Sequence, residues 1–157
     1  MVLILIAGYP YAGKSSLAQR LGKYKEMSSV IRAEDKLAEG ERIRKEFPRG
    51  VLARMVYDPS ITIYSGVRSP EEVEVFTTYD EVFLVFVNAP FSVRLARMAK
   101  PDAAALRERD RREEALGLPE VRDRANLFVL NDGDIARLDE VAQWILRQQQ
   151  ISKSQSD

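Results

Sequence analysis

A phosphate-binding motif opens the chain. Residues 8–15 read G-Y-P-Y-A-G-K-S, which fits the pattern G-x-x-x-x-G-K-[ST] of the P-loop. The apolar run V-L-I-L-I-A, residues 2–7, precedes the motif, and S-L-A-Q-R-L, residues 16–21, follows it. A buried strand, a glycine loop and a helix start therefore come in the order that this kind of phosphate site requires.

The residue types of the loop suit a nucleoside triphosphate. Gly8 and Gly13 let the backbone curl so that its N–H groups point at an anion, and the following helix adds its positive end. Lys14 would contact the terminal phosphates and the Ser15 hydroxyl would bind Mg²⁺, so we expect ATP and Mg²⁺ as cofactors. We expect the tyrosines of the loop to cover the strand end rather than to stack on a base. The predicted nucleotide contacts are Gly8, Tyr9, Pro10, Tyr11, Ala12, Gly13, Lys14, Ser15 and Ser16.

The composition limits both the partners and the chemistry. With 24 basic and 24 acidic residues, the formal net charge of zero gives no electrostatic case for nucleic-acid or membrane partners. The chain has no cysteine and no histidine, which excludes thiolate metal sites, cysteine catalysis and the usual general base near neutral pH. The apolar run of six residues at the start is too short for a signal peptide or a membrane span, so we expect a cytoplasmic protein.

Apolar runs alternate with helical patterns along the rest of the chain. Further strands are predicted over 61–64, 81–88 and 127–130, and the polar stretch 23–28 would be a short edge strand. Helical patterns occupy 30–56, divided by Gly40 and by the group 48–50, and then 69–78, 91–100 and 102–116, with a last helix from about 133. This organisation predicts a single domain over residues 1–150 and a polar C-terminal tail over 151–157.

Three of the predicted strands are apolar on both faces, which indicates an α/β fold with a parallel sheet covered by helices. Ligands of such sheets bind beyond the carboxyl ends of the strands. The segments in which to seek a site are therefore 8–15, 65–69, 88–91 and 131–134.

Several segments resemble the archaeal dephospho-coenzyme A kinase-like P-loop proteins. Residues 65–76, S-G-V-R-S-P-E-E-V-E-V-F, are similar to D-G-I-R-S-x-x-E-V-E-x-F of that family, and residues 27–34, M-S-S-V-I-R-A-E, to M-G-D-V-I-R-E-E. R-E-R-D-R-R-E at 107–113 and N-D-G-D-I-A-R-L at 131–138 resemble two further segments, E-R-D-x-R-E and N-x-G-x-x-x-x-L. The wider relatives are nucleoside monophosphate kinases. The resemblance implies a P-loop NTPase fold of the nucleotide kinase type, with a five-stranded parallel sheet, and transfer of the ATP γ-phosphate to a small acceptor.

The resemblance also suggests roles for the arginines. Arg68, directly after a predicted strand, is the leading candidate for binding an acceptor phosphate; Arg32 would hold the acceptor from the other side, and Arg54 is a weaker candidate. Lys14, Arg68 and Arg109 are the candidate catalytic residues. Some arginines of the lid-like region could neutralise the transferring phosphoryl group, although helical spacing equally predicts the surface pairs Arg109–Glu113 and Glu108–Arg112. The arginines of that region are Arg94, Arg97, Arg107, Arg109 and Arg112.

Two positions depart from the family pattern. Ser65 and Ser29 stand where the family has aspartates, the first of which would hold the Mg²⁺ shell or orient the attacking oxygen. A different alignment lets Asp35 replace the second carboxylate, and Asp58 is another possible substitute, although it precedes its strand. The backbone of Asn131 and Gly133 could contact adenine, but a plain turn before a helix explains them as well.

The favoured function is an ATP-dependent small-molecule kinase of the nucleotide or dephospho-coenzyme A kinase type, acting as a monomer or homodimer. The alternative is a catalytically weakened or inactive nucleotide-binding protein that acts through a partner. A P-loop GTPase is disfavoured, because the chain has no N-K-x-D motif and no D-x-x-G after a strand.

Overall fold

The computed structural model describes residues 1–31, 34, 36–48 and 50–156, the last six as helical backbone only. Two residues that the sequence analysis singled out, Arg32 and Asp35, lie outside the described residues.

The described residues contain one five-stranded sheet, in which every pair of neighbouring strands is parallel. The strand order is β2-β3-β1-β4-β5, so the strand before the P-loop lies at the centre. This confirms the predicted five-stranded parallel sheet, and the strand that ends at Ser65 lies beside the P-loop strand. The strands are β1 (Val2–Ala7), β2 (Lys25–Glu26), β3 (Ile63–Ser65), β4 (Glu81–Asn88) and β5 (Leu127–Leu130).

Helices connect the strands and cover both faces of the sheet. They are α1 (Lys14–Leu21), α2 (Lys36–Glu46), α3 (Val51–Val56), α4 (Pro70–Thr77), α5 (Phe91–Arg97), α6 (Ala103–Leu116), α7 (Leu118–Asp123) and α8 (Ile135–Ser156), with a 3₁₀ turn at Met27–Val30. No described helix is long and apolar enough to cross a membrane.

The central strand divides its side chains between two hydrophobic cores. Leu3 and Leu5 pack into one core with Tyr64 and Phe86, whereas Ile4 and Ile6 lie on the opposite face. Leu17 and Ile145, from α1 and α8, belong to that second core. Because both faces are covered, β1 needs apolar side chains at every position, which explains its unbroken apolar run.

Three local details differ from the sequence-based expectation. Gly40 lies inside α2 and does not divide it. Gly117 ends α6 in a left-handed conformation, and Pro119 then lies in the first turn of an additional helix, α7, where its fixed φ and missing N–H are tolerated. The last helix continues to Ser156, so residues 151–156 extend α8 where a tail was expected.

A buried tyrosine fastens the loop before β3. The Tyr64 side chain is fully buried, and its hydroxyl accepts the Asp58 N–H at 2.9 Å and lies 2.9 Å from the Asp58 carbonyl and 3.0 Å from the Ile61 carbonyl. This hydroxyl therefore satisfies backbone groups that the sheet leaves unpaired.

We predict that Tyr64→Phe lowers the free energy of unfolding by about 1–3 kcal/mol, because the variant removes the hydroxyl that bonds the Asp58 N–H and the Ile61 carbonyl. The control Tyr79→Phe keeps the ring stacked on Tyr57, 3.8 Å between centroids, and removes a hydroxyl from a half-exposed side chain. Urea unfolding of both variants makes the comparison. Equal losses in the two would show that the Tyr64 hydroxyl has no special role.

Candidate active site

The P-loop curls over the carboxyl end of β1. Gly13 adopts a left-handed conformation (φ 99°) immediately before α1, and a Cβ at this position would collide with the Asn131 side-chain amide. Glycine is therefore required here both by the backbone angle and by the close approach of a second segment. The first N–H groups of α1 have no intrahelical partner, and together with the positive end of the helix they suit an anion.

Side chains from two other segments hold the outer side of the loop. The Asn131 Nδ2 donates to the Ala12 carbonyl at 2.8 Å. The guanidinium of Arg97 donates to the carbonyls of Tyr11 (2.8 Å), Ala12 (3.2 Å) and Asn131 (3.0 Å). These bonds tie the loop to the ends of α5 and β5, which keeps its carbonyl groups turned away from the anion site.

Lys14 is folded back onto the loop. Its Nζ donates to the carbonyls of Gly8 at 2.9 Å and Tyr9 at 3.0 Å. Burial, followed by the nearby guanidinium of Arg68, lowers the pKa of the Lys14 amine to about 8. The amine is therefore still mostly a cation at neutral pH, held where it would meet a phosphate.

The hydroxyl that follows Lys14 contacts a carboxylate. Ser15 Oγ donates to Glu26 Oε1 at 2.5 Å. Glu26 is the last residue of β2 and pairs in register with Ser65, the last residue of β3. The Ser65 Oγ is fully buried and has no hydrogen-bond partner among the described residues. Two oxygen-bearing side chains thus end neighbouring strands beside the P-loop.

A cavity of about 240 Å³ opens in front of Lys14 and Glu26. Its charged lining is mostly basic, and Met27, Ile31 and Leu37 supply apolar surface. Two of the arginines are paired, since Arg44 lies 3.3 Å from Glu72 and Arg68 lies 3.4 Å from Glu113. Even with these carboxylates, the positive charges exceed the negative ones. The basic lining residues are Lys14, Lys36, Arg44, Arg68 and Arg109.

Arg68 lies at the predicted edge of the sheet and is largely buried. Its backbone N–H donates to Glu72 Oε1 at 3.2 Å, while its side chain faces Glu113 of α6. Burial lowers the pKa of the guanidinium, and Glu113 opposes this shift. The structure thus brings the three candidate catalytic residues, Lys14, Arg68 and Arg109, to one cavity, and their catalytic roles stay predictions.

Only one lid-region arginine is among the described residues that line this cavity. Arg109 lies with its guanidinium 5.2 Å from the centre of the Tyr11 ring, and its Nε is buried without a hydrogen-bond partner among the described residues. No ion pair with Glu113 is formed within that part of the chain, so the expected helical pair Arg109–Glu113 is wrong; Glu113 faces Arg68 instead.

The other lid-region arginines have different surroundings. Arg94 is buried and makes two 2.8 Å hydrogen bonds to Asp110, besides a 3.3 Å bond to the Pro10 carbonyl. Arg97 holds the P-loop, as described above. Arg107 lies over the Phe91 ring, and Arg112 forms the expected pair with Glu108 at 3.4 Å. These four arginines are outside the cavity lining.

Of the two loop tyrosines, Tyr9 covers the strand end, as expected, whereas Tyr11 is exposed. The Tyr9 ring packs edge-on against Phe86, 6.2 Å between centroids, and its hydroxyl donates to Glu114 at 3.0 Å. Burial, followed by the bond to Glu114, raises the pKa of Tyr9 to about 12. Tyr11 adopts a positive φ of 63° and lies half-exposed beneath Arg109. Ser16 is exposed on the first turn of α1.

Several weaker candidates lie away from the cavity. Ser29 and Arg54 are exposed and do not line it. Asp58 cannot replace the missing carboxylate, because it precedes β3 at the opposite end of that strand and pairs with Lys25 at 3.3 Å. The Asn131 carbonyl accepts from Arg97, so the main role of Asn131 in this structure is to hold the P-loop.

Sequence reasoning missed Glu26, Lys36 and Arg44. Glu26 carried a usable signal, since it lies in the stretch predicted as an edge strand, and carboxyl ends of parallel strands face the ligand site. Arg44 gave no such signal, because its position depends on how α2 packs against the start of α4.

A larger hollow of about 820 Å³ adjoins this cavity and shares Arg44 with it. Its described lining comes from α2, the segment before α3, the start of α4 and the outer side of α6, and it mixes acidic with basic residues. It contains no P-loop residue, so the smaller cavity is the better candidate for chemistry on a nucleotide.

The contacts of Arg94 predict a structural role that distinguishes it from Arg109. Arg94→Ala should lower the free energy of unfolding by about 3–5 kcal/mol, because it leaves Asp110 as an uncompensated, largely buried charge. Arg109→Ala and the surface control Arg111→Ala should change stability little. Chemical denaturation of the three variants decides the point, and an Arg94→Ala protein as stable as the parent would contradict it.

Comparison with known proteins agrees with this architecture. No family model matches the chain. A UPF0200 protein of Saccharolobus islandicus is 32% identical over 92% of this chain and 94% of its own length, and one of Methanothermobacter thermautotrophicus is 30% identical over 94% and 90%. Among solved structures, the shikimate kinase of Acinetobacter baumannii, determined with shikimate, superposes with a TM-score of 0.63 at 13% identity over 98% of this chain and 96% of its own. The shikimate kinase of Bacteroides thetaiotaomicron gives 0.61 at 18% identity, over 95% and 98%. The fold is that of P-loop kinases, and the chain belongs to the UPF0200 family.

Proposed function

We propose that this protein is an ATP- and Mg²⁺-dependent phosphotransferase that transfers the γ-phosphate to a small anionic acceptor. The acceptor would be of the type used by nucleotide or dephospho-coenzyme A kinases. One observation carries the proposal: the P-loop lysine shares a basic cavity with Arg68 and Arg109, two cations from other parts of the chain. Cations beyond the P-loop lysine suit a second anionic group or the charge on a phosphoryl group during transfer.

The geometry supports a division of roles. The P-loop N–H groups and Lys14 would bind the β- and γ-phosphates, and the Ser15 hydroxyl would bind Mg²⁺. Arg68, held by Glu113 at 3.4 Å, faces the cavity from the end of β3 and would bind the anionic group of the acceptor. Arg109 would neutralise charge on the phosphoryl group during transfer. Phosphoryl transfer depends mainly on positioning and electrostatics, so the absence of histidine is no obstacle.

A second candidate function is a nucleotide-binding module without turnover. It is favoured by the serines at positions 29 and 65, where the resembling family has aspartates. Turnover separates the two functions: the phosphotransferase converts ATP to ADP faster when its acceptor is present, and the module does not. The informative panel contains the nucleoside monophosphates, dephospho-coenzyme A and shikimate, each assayed with Mg·ATP.

Lys14→Ala should abolish tight ATP binding with little change in the stability of the nucleotide-free protein, because the amine serves a phosphate and packs into no core. The control is Lys100→Ala, which removes an exposed amine from the segment after α5. Thermal unfolding with and without Mg·ATP gives the measurement, since a ligand that binds the folded protein stabilises it by an amount that grows with the logarithm of its concentration relative to Kd. If ATP stabilised the Lys14→Ala protein as strongly as the parent, the P-loop assignment would fail.

Arg68→Ala should weaken acceptor binding by about 1.5–3 kcal/mol, the worth of a charge-assisted hydrogen bond, and leave ATP binding nearly unchanged. Arg68→Lys keeps the charge opposite Glu113 and should lose less. Arg124→Ala, which removes an exposed ion pair with Glu74, is the matched control. Calorimetry with ATP and with the active acceptor of the panel, each alone, tests this prediction. Equal losses of affinity for both ligands would show that Arg68 belongs to the nucleotide site.

A further inference from the structure

The contact between Ser15 and Glu26 joins the P-loop to the end of the neighbouring edge strand. Ser15 Oγ donates its proton to Glu26 Oε1 at 2.5 Å, and Glu26 lines the same cavity as Lys14. A hydroxyl that gives its only proton to a carboxylate turns its lone pairs elsewhere. The lone pairs of the Ser15 oxygen therefore stay free to bind a cation.

The oxygen atoms of this pair suit Mg²⁺. The ion prefers oxygen ligands, and it is commonly bound by one or two carboxylates together with substrate phosphates and water. The described residues contain no group of three or more carboxylate, histidine or cysteine side chains that could hold a metal without a nucleotide. One hydroxyl with one carboxylate, beside a phosphate-binding loop, fits an ion that arrives with ATP.

Of the positions considered for this carboxylate, Asp35 lies outside the described residues, and those that the structure describes do not provide it. Ser29 is exposed on the 3₁₀ turn, outside the cavity lining, and Asp58 lies at the other end of β3. Ser65 is in the right place but neutral. It pairs in register with Glu26, and a Cβ on the next residue, Gly66, would stand 3.6 Å from Glu26 Oε2. The Glu26 carboxylate thus lies beside the end of β3, where position 65 carries no charge.

We propose that Glu26 is the carboxylate of the metal site: it holds Mg²⁺ together with Ser15 and takes over the role that the resemblance assigned to an aspartate at position 65. This inference rests on the proposed nucleotide site. It also gives the unpartnered Ser65 hydroxyl a reason to be small and uncharged, because a second carboxylate buried beside Glu26 would repel it.

Glu26→Gln tests the proposal without a gross change in shape, because the amide oxygen can still accept the Ser15 proton. Metal binding and metal-free ATP binding should respond differently to this change. Mn²⁺ binding to the protein–ADP complex, followed by electron paramagnetic resonance, should weaken about tenfold or more. ATP binding in EDTA, followed by calorimetry, should stay equal or tighten, because a negative charge near the phosphates has been removed. Asp58→Asn is the control and should alter neither.

The double variant Glu26→Gln/Ser65→Asp moves the carboxylate to the end of β3 and should recover part of the Mn²⁺ affinity. Ser65→Asp alone should lose stability through repulsion by Glu26. Unchanged Mn²⁺ affinity in Glu26→Gln would overturn the proposal and make the Ser15 contact purely structural, while Lys14-dependent ATP binding would keep the proposed function intact. A parent protein that binds no ATP with or without metal would overturn both.

Discussion

The site depends on how a group of buried cations is kept together. Lys14, Arg68 and Arg109 lie close enough that Arg68 and Arg109 help to lower the pKa of Lys14, and burial lowers the pKa of Arg68 itself. Such charges are costly to bury unless they are paired. Glu113 of α6 pairs with Arg68. Glu113 and Glu26 also oppose part of the lowering of the Lys14 pKa. Among the described residues, these carboxylates pair with part of the cations and leave a net positive charge in the cavity lining, which suits an anion.

A second set of contacts fixes the loop on which that anion would rest. Asn131 and Arg97 bond to the outer carbonyls of the P-loop, and the buried pair Arg94–Asp110 ties α5 to α6 beneath it. Because α6 also carries Glu113 and Arg109, this arrangement links the loop to the helix that bears both. The arginines of this region thus have two different roles. Arg94 and Arg97 stabilise the P-loop and the helices beside it, whereas Arg109 faces the cavity.

Much of the fold, but only part of the site, followed from the sequence. The strand, loop and helix of the P-loop are contiguous, and apolar runs identified β3, β4 and β5, so local patterns were sufficient. Glu113 shows where they were not: helical spacing predicted Arg109 as its partner, whereas the tertiary fold places it opposite Arg68 from the segment between β3 and α4. Glu26 was missed although its stretch was predicted as an edge strand, because that prediction does not give its neighbours. Its neighbours Ser15 and Ser65 come from other segments, and a two-residue edge strand leaves almost no periodicity to detect. The roles of Arg32 and Asp35 remain predictions.

The most direct test of the account is a crystal structure with a non-hydrolysable ATP analogue and Mn²⁺, with the metal located by its anomalous scattering. The account predicts the γ-phosphate in the cavity, in contact with Lys14 and facing Arg68 and Arg109, and the metal peak beside Ser15 and Glu26. An analogue bound in the larger hollow, or one whose phosphates leave Lys14 on the carbonyls of Gly8 and Tyr9, would contradict it.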